Sequence, residues 1–282
     1  MNMPDAMTAS PQAGMEDPAA RAYFSAKQRE QWRRRTLPVL GLFGLVFLWW
    51  AVVAGLDVKP FIAPSPQLVV ATMINKWPIL WQNVIPTAIE AVGGFMLGNF
   101  AAILLATVFV HNKAIQEAFF PIAVMINTIP VVAKAPILVL LMGNGMEPKI
   151  TIAALICFFP TLVNMVRGLE AVNPQSMELM RVLSASKSEV YFKLRLYNSL
   201  PYLFSALRIA STASLLGAIV AEWIGSNKGL GYLILAATYD YRTPLLYATM
   251  AVASALALAL FGLISALEGY AVPWRRTSGS SE

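Results

Sequence analysis

Apolar residues in this chain run in long unbroken blocks, not with the 3.6-residue period of a surface helix. Blocks near Leu37–Leu56, Val84–Val110, Ala118–Met142, Ile150–Val166, Pro201–Ile224 and Pro244–Val272 are each long enough, at about 1.5 Å per residue, to cross a hydrocarbon core of about 30 Å. The pattern predicts an all-α polytopic membrane protein with about six spans, in three parts: a tail over residues 1–36, a membrane domain over 37–272 and a second tail over 273–282. The first part is rich in Met, Ala and Pro and ends in "KQREQWRRR". It reads as a mobile tail with a basic stop at the membrane surface, and it lacks the apolar core of a cleavable signal peptide.

One stretch departs from the blocks: "VNPQSMELMRVLSASKSEVYFKLRLYNSLP", between the fourth and fifth. Asn173 is placed as an N-cap with Pro174 at the first helical position, where a missing N–H costs nothing. Ser186 and Glu189 are spaced as a capping box. Two short helices meeting at Ser184–Ser186 follow. Leu179, Val182 and Leu183 give the first an apolar side, and Val190, Phe192, Leu194 and Leu196 supply the second. Such a pair either docks a cytoplasmic partner or lies on its own bundle.

Composition agrees with the membrane reading. The chain is 57% hydrophobic and 13% charged, against about 25% charged for soluble domains. A net charge of +6 would be compatible with nucleic acid, but the distribution of Lys and Arg removes that need. With both termini cytoplasmic, 14 of these residues fall on inner segments and 5 on outer ones. The lone cysteine, Cys157, sits in the apolar "TIAALICFFPTLV" and reads as packing. A lone histidine, His111, without a cysteine partner excludes the usual zinc patterns. No Gly-Lys dipeptide occurs, so a Walker A loop is absent. No nucleophile–base set or carboxylate pair points to catalysis, and neither a catalytic residue, a metal nor a cofactor is expected on this chain.

Charges inside spans are costly and ask for a partner or a task. Lys134 in "PVVAKAPIL" lies about 12 Å below the outer end of its block by helical rise, and Glu90 in "TAIEAVGGF" about 9 Å below that of its own. The similar depth predicts a Glu90–Lys134 pair. Lys134 lining the pathway and attracting an anion, or snorkelling outward, are the alternatives. Glu222, beside Trp223, holds an outer gate or faces water. Asn127 and Pro130 mark a bent helix or an interhelical hydrogen bond. Gly93, Gly94 and Gly98 allow close helix packing. "GSNKGLGYLI" reads as an outer turn with a re-entrant helix rather than a phosphate cradle, and Arg208 reaches the cytoplasmic headgroups.

The polar stretch resembles the cytoplasmic EAA loop of ABC importer permeases. Glu178 matches its Glu, Ala185 and Ser186 its Ala-Ser, and Leu200 and Pro201 its closing Leu-Pro. "APSPQLV", "TIPVVAKAPILVLLMGNG" and "LRIASTASLLGAIVAEWIGSNKGLGYLI" agree with the branch importing nitrate, sulfonates, taurine and pyrimidine precursors, in order over roughly residues 60 to 272. Two positions depart: Ser184 replaces the usual Gly, and Tyr197 the first Pro of the common L-P-x-x-L-P. Because Gly serves where φ is positive, Ser184 puts the sharp bend in question.

The resemblance implies a bacterial cytoplasmic-membrane permease, pairing with a second permease copy around the pathway. Its EAA loop, through Glu178, Ser184, Ala185, Ser186, Leu200 and Pro201, would seat in separate cytoplasmic ATPase subunits that carry the ATP and Mg. A periplasmic or lipoprotein binding protein would deliver the solute, an anion or a pyrimidine or vitamin precursor. Lys134, Asn127, Glu90 and Glu222 are the pathway candidates. The alternative from another class is an ion-coupled secondary carrier using Glu90 and Lys134. It leaves the cytoplasmic hairpin without a task, and no inverted repeat is visible.

Overall fold

A computed structural model describes residues 18–273, and the chain divides into two compact units, Met1–Gln67 and Leu68–Glu282. Within the described residues there are helices and no strands. Residues 1–17, the C-terminal tail from 274 and the basic pair Arg275 and Arg276 lie outside the described part.

In the first unit, α1 runs Pro18–Gly55. Over 18–36 the segment read as a tail is helical: Gln, Glu, Lys and Arg are good helix formers, and they extend the apolar span Thr36–Gly55 backwards without a break.

In the second unit, α2 (Pro66–Asn75) leads to α3 (Trp77–His111), α4 (Lys113–Thr128), α5 (Val131–Met142) and α6 (Glu147–Glu170). Then come α7 (Pro174–Val182), α8 (Lys187–Val190), a π-helical turn (Tyr191–Arg195), α9 (Leu196–Glu222), α10 (Leu230–Tyr239) and α11 (Thr243–Ala271). Among the described residues five helices are long and apolar enough to cross a membrane, counting α8, the π turn and α9 as one run, Lys187–Glu222. Helices α4 and α5 make the sixth only as a pair bent by 98°. The break falls at Ile129–Pro130, where extended backbone interrupts the helix. That is the bend expected from Asn127 and Pro130. Proline removes an N–H and pushes its predecessor out of the α region.

The centre is α3, α6 and α9, with α10 and α11 against α9 and α5 against α6. Lipid tails are as apolar as leucine, so burial in a bilayer gives little drive for helix association; close packing and hydrogen bonds must supply it. The sequence provides both. A Cβ on Gly94 would strike Ala153 and the Ile150 carbonyl, and one on Gly98 the Ala154 backbone, so α3 and α6 touch backbone to backbone. Thr161 donates to Asn99 Oδ1 at 2.6 Å across the same seam. Cys157 is fully buried and its Sγ lies 3.3 Å from the Ala210 carbonyl on α9, a packed thiol as expected. Arg208 does not reach for headgroups: its Nη1 pairs with Glu268 of α11 at 3.2 Å. An opposite charge on a neighbouring helix offers a nearer partner than the membrane surface.

Candidate functional site

The hairpin forms as its caps require. Asn173 accepts the Gln175 N–H, and Ser186 and Glu189 complete a capping box. Between them Ser184 takes φ +51°. The Ala185 N–H donates to the Met180 carbonyl and the Ser184 N–H to that of Arg181, each at 2.9 Å. This is a Schellman closure with Ser184 at the position that glycine usually fills. The sharp bend is thus present despite the missing glycine, held in a left-handed conformation that costs a side chain about 1 kcal/mol. Ser184→Gly should therefore stabilise the turn by about 1 kcal/mol, read as slower amide exchange at Ala185; faster exchange would count against this closure.

The second arm is not a separate short helix. It continues through the π turn into α9, with Pro201 inside the helix, so Leu200 and Pro201 lie on a continuous rod. The π turn is anchored: the Tyr191 hydroxyl lies 2.7 Å from Thr107 Oγ1, and Arg195 donates to the Leu169 carbonyl. Asn198 Nδ2 donates to the carbonyls of Gly168 and Ala171. Helix α7 has no buried residue, and Leu179 and Val182 are 59% and 77% exposed. Its apolar side faces away from its own bundle. Glu178, Ser184 and Ser186 are exposed beside it.

At the other end of α9 the predicted Glu90–Lys134 pair is corrected. Glu90 pairs with Lys149 of α6, Oε1 to Nζ at 3.1 Å, and the two are 0% and 7% exposed. The depth argument began α3 at Val84 and treated the third block as one straight helix. Helix α3 begins at Trp77, and the bend before α5 carries Lys134 elsewhere. Gly94 meanwhile draws α3 against Ile150 and Ala153, one turn from Glu90 and beside Lys149.

Glu222 neither faces water nor stands alone. It is 1% exposed, accepts the Thr87 hydroxyl at 2.6 Å and the Gly231 N–H, and its carboxyl faces that of Glu90. The Leu230 N–H donates to Thr87 Oγ1 and the Gly229 N–H to Asn83 Oδ1, both at 2.8 Å. Lys149 also donates to Ser226 at 2.9 Å. The free N–H groups at the start of α10 are thus met by three side chains, Asn83 at Gly229, Thr87 at Leu230 and the Glu222 carboxylate at Gly231, and that carboxylate also complements the helix dipole. A side chain at Gly229 or Gly231 would collide with Glu222, so the "GLG" run serves this approach rather than a phosphate. Two carboxyls, one ammonium, a threonine and an asparagine tie α3, α6, α9 and α10 into one buried latch.

Thr87, Asn83 and Lys149 escaped the sequence reading. Asn83, Thr87 and Glu90 recur at i, i+4 and i+7 on one face of α3, and that spacing was the available signal. Lys149 lies at the edge of its apolar block, one residue before Ile150, where a charge reads as a loop residue.

Lys134 and Asn127 do come together. With Phe119, Leu155, Phe158 and Phe159 they line an open pocket of about 190 Å³ between α3, α4, α5 and α6, in which Phe119 and Asn127 are exposed and Lys134 is half-buried. Among the described residues the Lys134 ammonium has neither an ion-pair nor a hydrogen-bond partner.

The structure is thus an all-α set of long apolar helices with an exposed hairpin and a buried polar latch. Residues 94–276 match the family described as binding-protein-dependent transport system inner membrane component, and the chain belongs to that family. The formylaminopyrimidine transport permease protein ThiX of Halalkalibacterium halodurans is 32% identical over 83% of this chain and 94% of its own. The riboflavin transport system permease protein RibX of Chloroflexus aurantiacus is 32% identical over 88% and 92%. The taurine transport system permease protein TauC of Escherichia coli is 25% identical over 86% and 90%. The chain is an ABC transporter permease subunit for a small solute, in a family of the inner membrane.

Proposed function

We propose that this permease pairs with a second copy of itself around a translocation pathway, with both termini and the α7–α8 hairpin in the cytoplasm. The hairpin docks a separate ATPase chain, which holds the ATP and Mg. Glu178, Ser184, Ala185 and Ser186 form the contact, beside the exposed Leu179, Val182 and Leu183. A periplasmic or lipoprotein binding protein delivers the solute from outside. The solute is a ring-bearing vitamin or pyrimidine precursor in preference to an aliphatic sulfonate. The 32% identity to relatives named for formylaminopyrimidine and riboflavin, against 25% to one named for taurine, supports that order.

The observation that carries the reading is the continuity of Lys187–Glu222. Its inner end begins at the hairpin and its outer end is Glu222 in the latch. At about 1.5 Å per residue, this rod can convey a movement at the hairpin across the bilayer. Closure of two ATPases would draw the hairpins together and load the outer latch, giving alternating access. The carrier alternative loses the Glu90–Lys134 pair on which it rested.

Affinity purification of the tagged chain in mild detergent should recover a stoichiometric ATPase. Glu178→Lys, which reverses charge on an exposed docking residue, should lose that ATPase or uncouple hydrolysis from transport. A wild-type preparation that transports without any ATPase would overturn the reading.

A further inference from the structure

The open pocket at the α4–α5 bend is a feature that neither the latch nor the hairpin uses. We propose that it is the solute subsite, and that it takes a planar aromatic ring bearing an anionic or carbonyl oxygen. The assignment rests on the permease reading above and deepens it.

Size comes first. An apolar cavity of about 150 Å³ accepts benzene; about 190 Å³ therefore holds a six-membered ring with a substituent. Shape and surface come next. Phe119, Phe158 and Phe159 offer ring faces and edges, which favour offset or edge-on contact with a second ring. An acyl chain could fill the same volume but would leave the polar groups idle.

Those polar groups are two, and the chain break positions both. Asn127 lies at the end of α4 and Lys134 in the first turns of α5, on opposite sides of the 98° bend. A straight third span would have carried Lys134 further along the rod. A half-buried ammonium on a mostly apolar wall without a counter-charge is unfavourable, and a ligand oxygen offsets that cost. Asn127 adds one acceptor and a two-proton donor, enough to read a ring edge that carries both N–H and C=O. A small aliphatic anion would satisfy Lys134 but meet the phenyl rings with its hydration shell, which makes it the poorer fit.

The test is photolabelling of the full chain in lipid nanodiscs with p-azidobenzoate, a planar aromatic carboxylate, followed by peptide mapping. Label is expected on the segments holding Phe119 to Asn127 and Leu155 to Phe159. Orotate, a pyrimidine carboxylate, should compete, while taurine and decanoate should not. Lys134→Met should lower labelling at least tenfold, and Lys134→Arg should restore much of it, which separates lost charge from lost fold. Label spread over all the spans, or unchanged in Lys134→Met, overturns the proposal. Competition by decanoate would make the pocket an acyl-chain site, and equal competition by taurine an aliphatic-anion site; either result also refutes the ring. No ATPase takes part, so failure here is distinct from failure of the importer reading.

Discussion

Lys149→Met is expected to destabilise the permease by about 3–5 kcal/mol, the usual consequence of removing one partner from a buried ion pair. Lys149 is the cation facing the buried Glu90, whose carboxyl in turn faces Glu222. Methionine fills similar volume, so the loss is electrostatic rather than a cavity. The two carboxyls would then meet without a counter-charge in a region shielded from water. Adding Glu90→Gln should recover most of the loss, because an amide keeps the shape and removes the charge. The checking measurement is a double-mutant cycle on thermal unfolding in nanodiscs. Additive effects of the two substitutions would show that the pair is not what holds α3 to α6. In the ATPase complex proposed above, the same variant should raise ATP hydrolysis in the absence of solute, since Lys149 also reaches Ser226 beside α10 and its loss loosens the latch.

What the sequence disclosed, and what it hid, follows from the range of each interaction. The caps at Asn173 and Ser186 are local: donor, acceptor and spacing lie within three residues, and both formed as read. The break at Pro130 is local too. Five of the six blocks came out as single long apolar helices and the third as the bent α4–α5 pair, because backbone polar groups in lipid must pair within the helix, which leaves long apolar runs as the plainest possible record. The partner of Glu90 was a different matter. It depends on where α3 begins and on which face α6 presents, and both follow from Gly94 and Gly98 meeting Ala153 and Ala154. Block edges were uncertain by several residues, and one helical residue turns a side chain by 100°. Depth estimated from block edges could not choose between Lys134 and Lys149.

Ser184 failed in the other direction. A missing glycine argued against the bend, yet the Schellman hydrogen bonds and the capping box flank it closely enough to impose positive φ on serine. Continuity of the second arm into α9 was also hidden, because the break in hydrophobicity at "KLRLYNSLP" looks like an end while the backbone runs on through a π turn. Composition changes where a helix leaves the membrane, and the helix need not stop there.

Gly98→Ala is expected to cost about 2 kcal/mol or more and Gly98→Leu to prevent assembly of the bundle, whereas Gly93→Ala should be nearly neutral. The two sites are five residues apart on one helix and have equal propensity to gain from alanine, about 1 kcal/mol in a helix interior. They differ in what a new methyl would meet. At Gly93 the neighbours are Cδ1, Cγ1 and Cγ2 of the Ile150 side chain at 3.4–3.5 Å, ordinary van der Waals contacts that displace nothing. At Gly98 they are the carbonyl, carbonyl carbon and Cα of Ala154, which cannot move without shifting α6. Displacing α6 would also part Asn99 from Thr161 and Glu90 from Lys149, so the damage spreads from one contact to the latch. In a bilayer no hydrophobic gain compensates for the lost fit. Thermal unfolding and size-exclusion profiles of the three variants in one detergent would check this. Equal tolerance at Gly93 and Gly98 would mean that α3 and α6 are not held backbone to backbone, and that the latch depends on its ion pair alone.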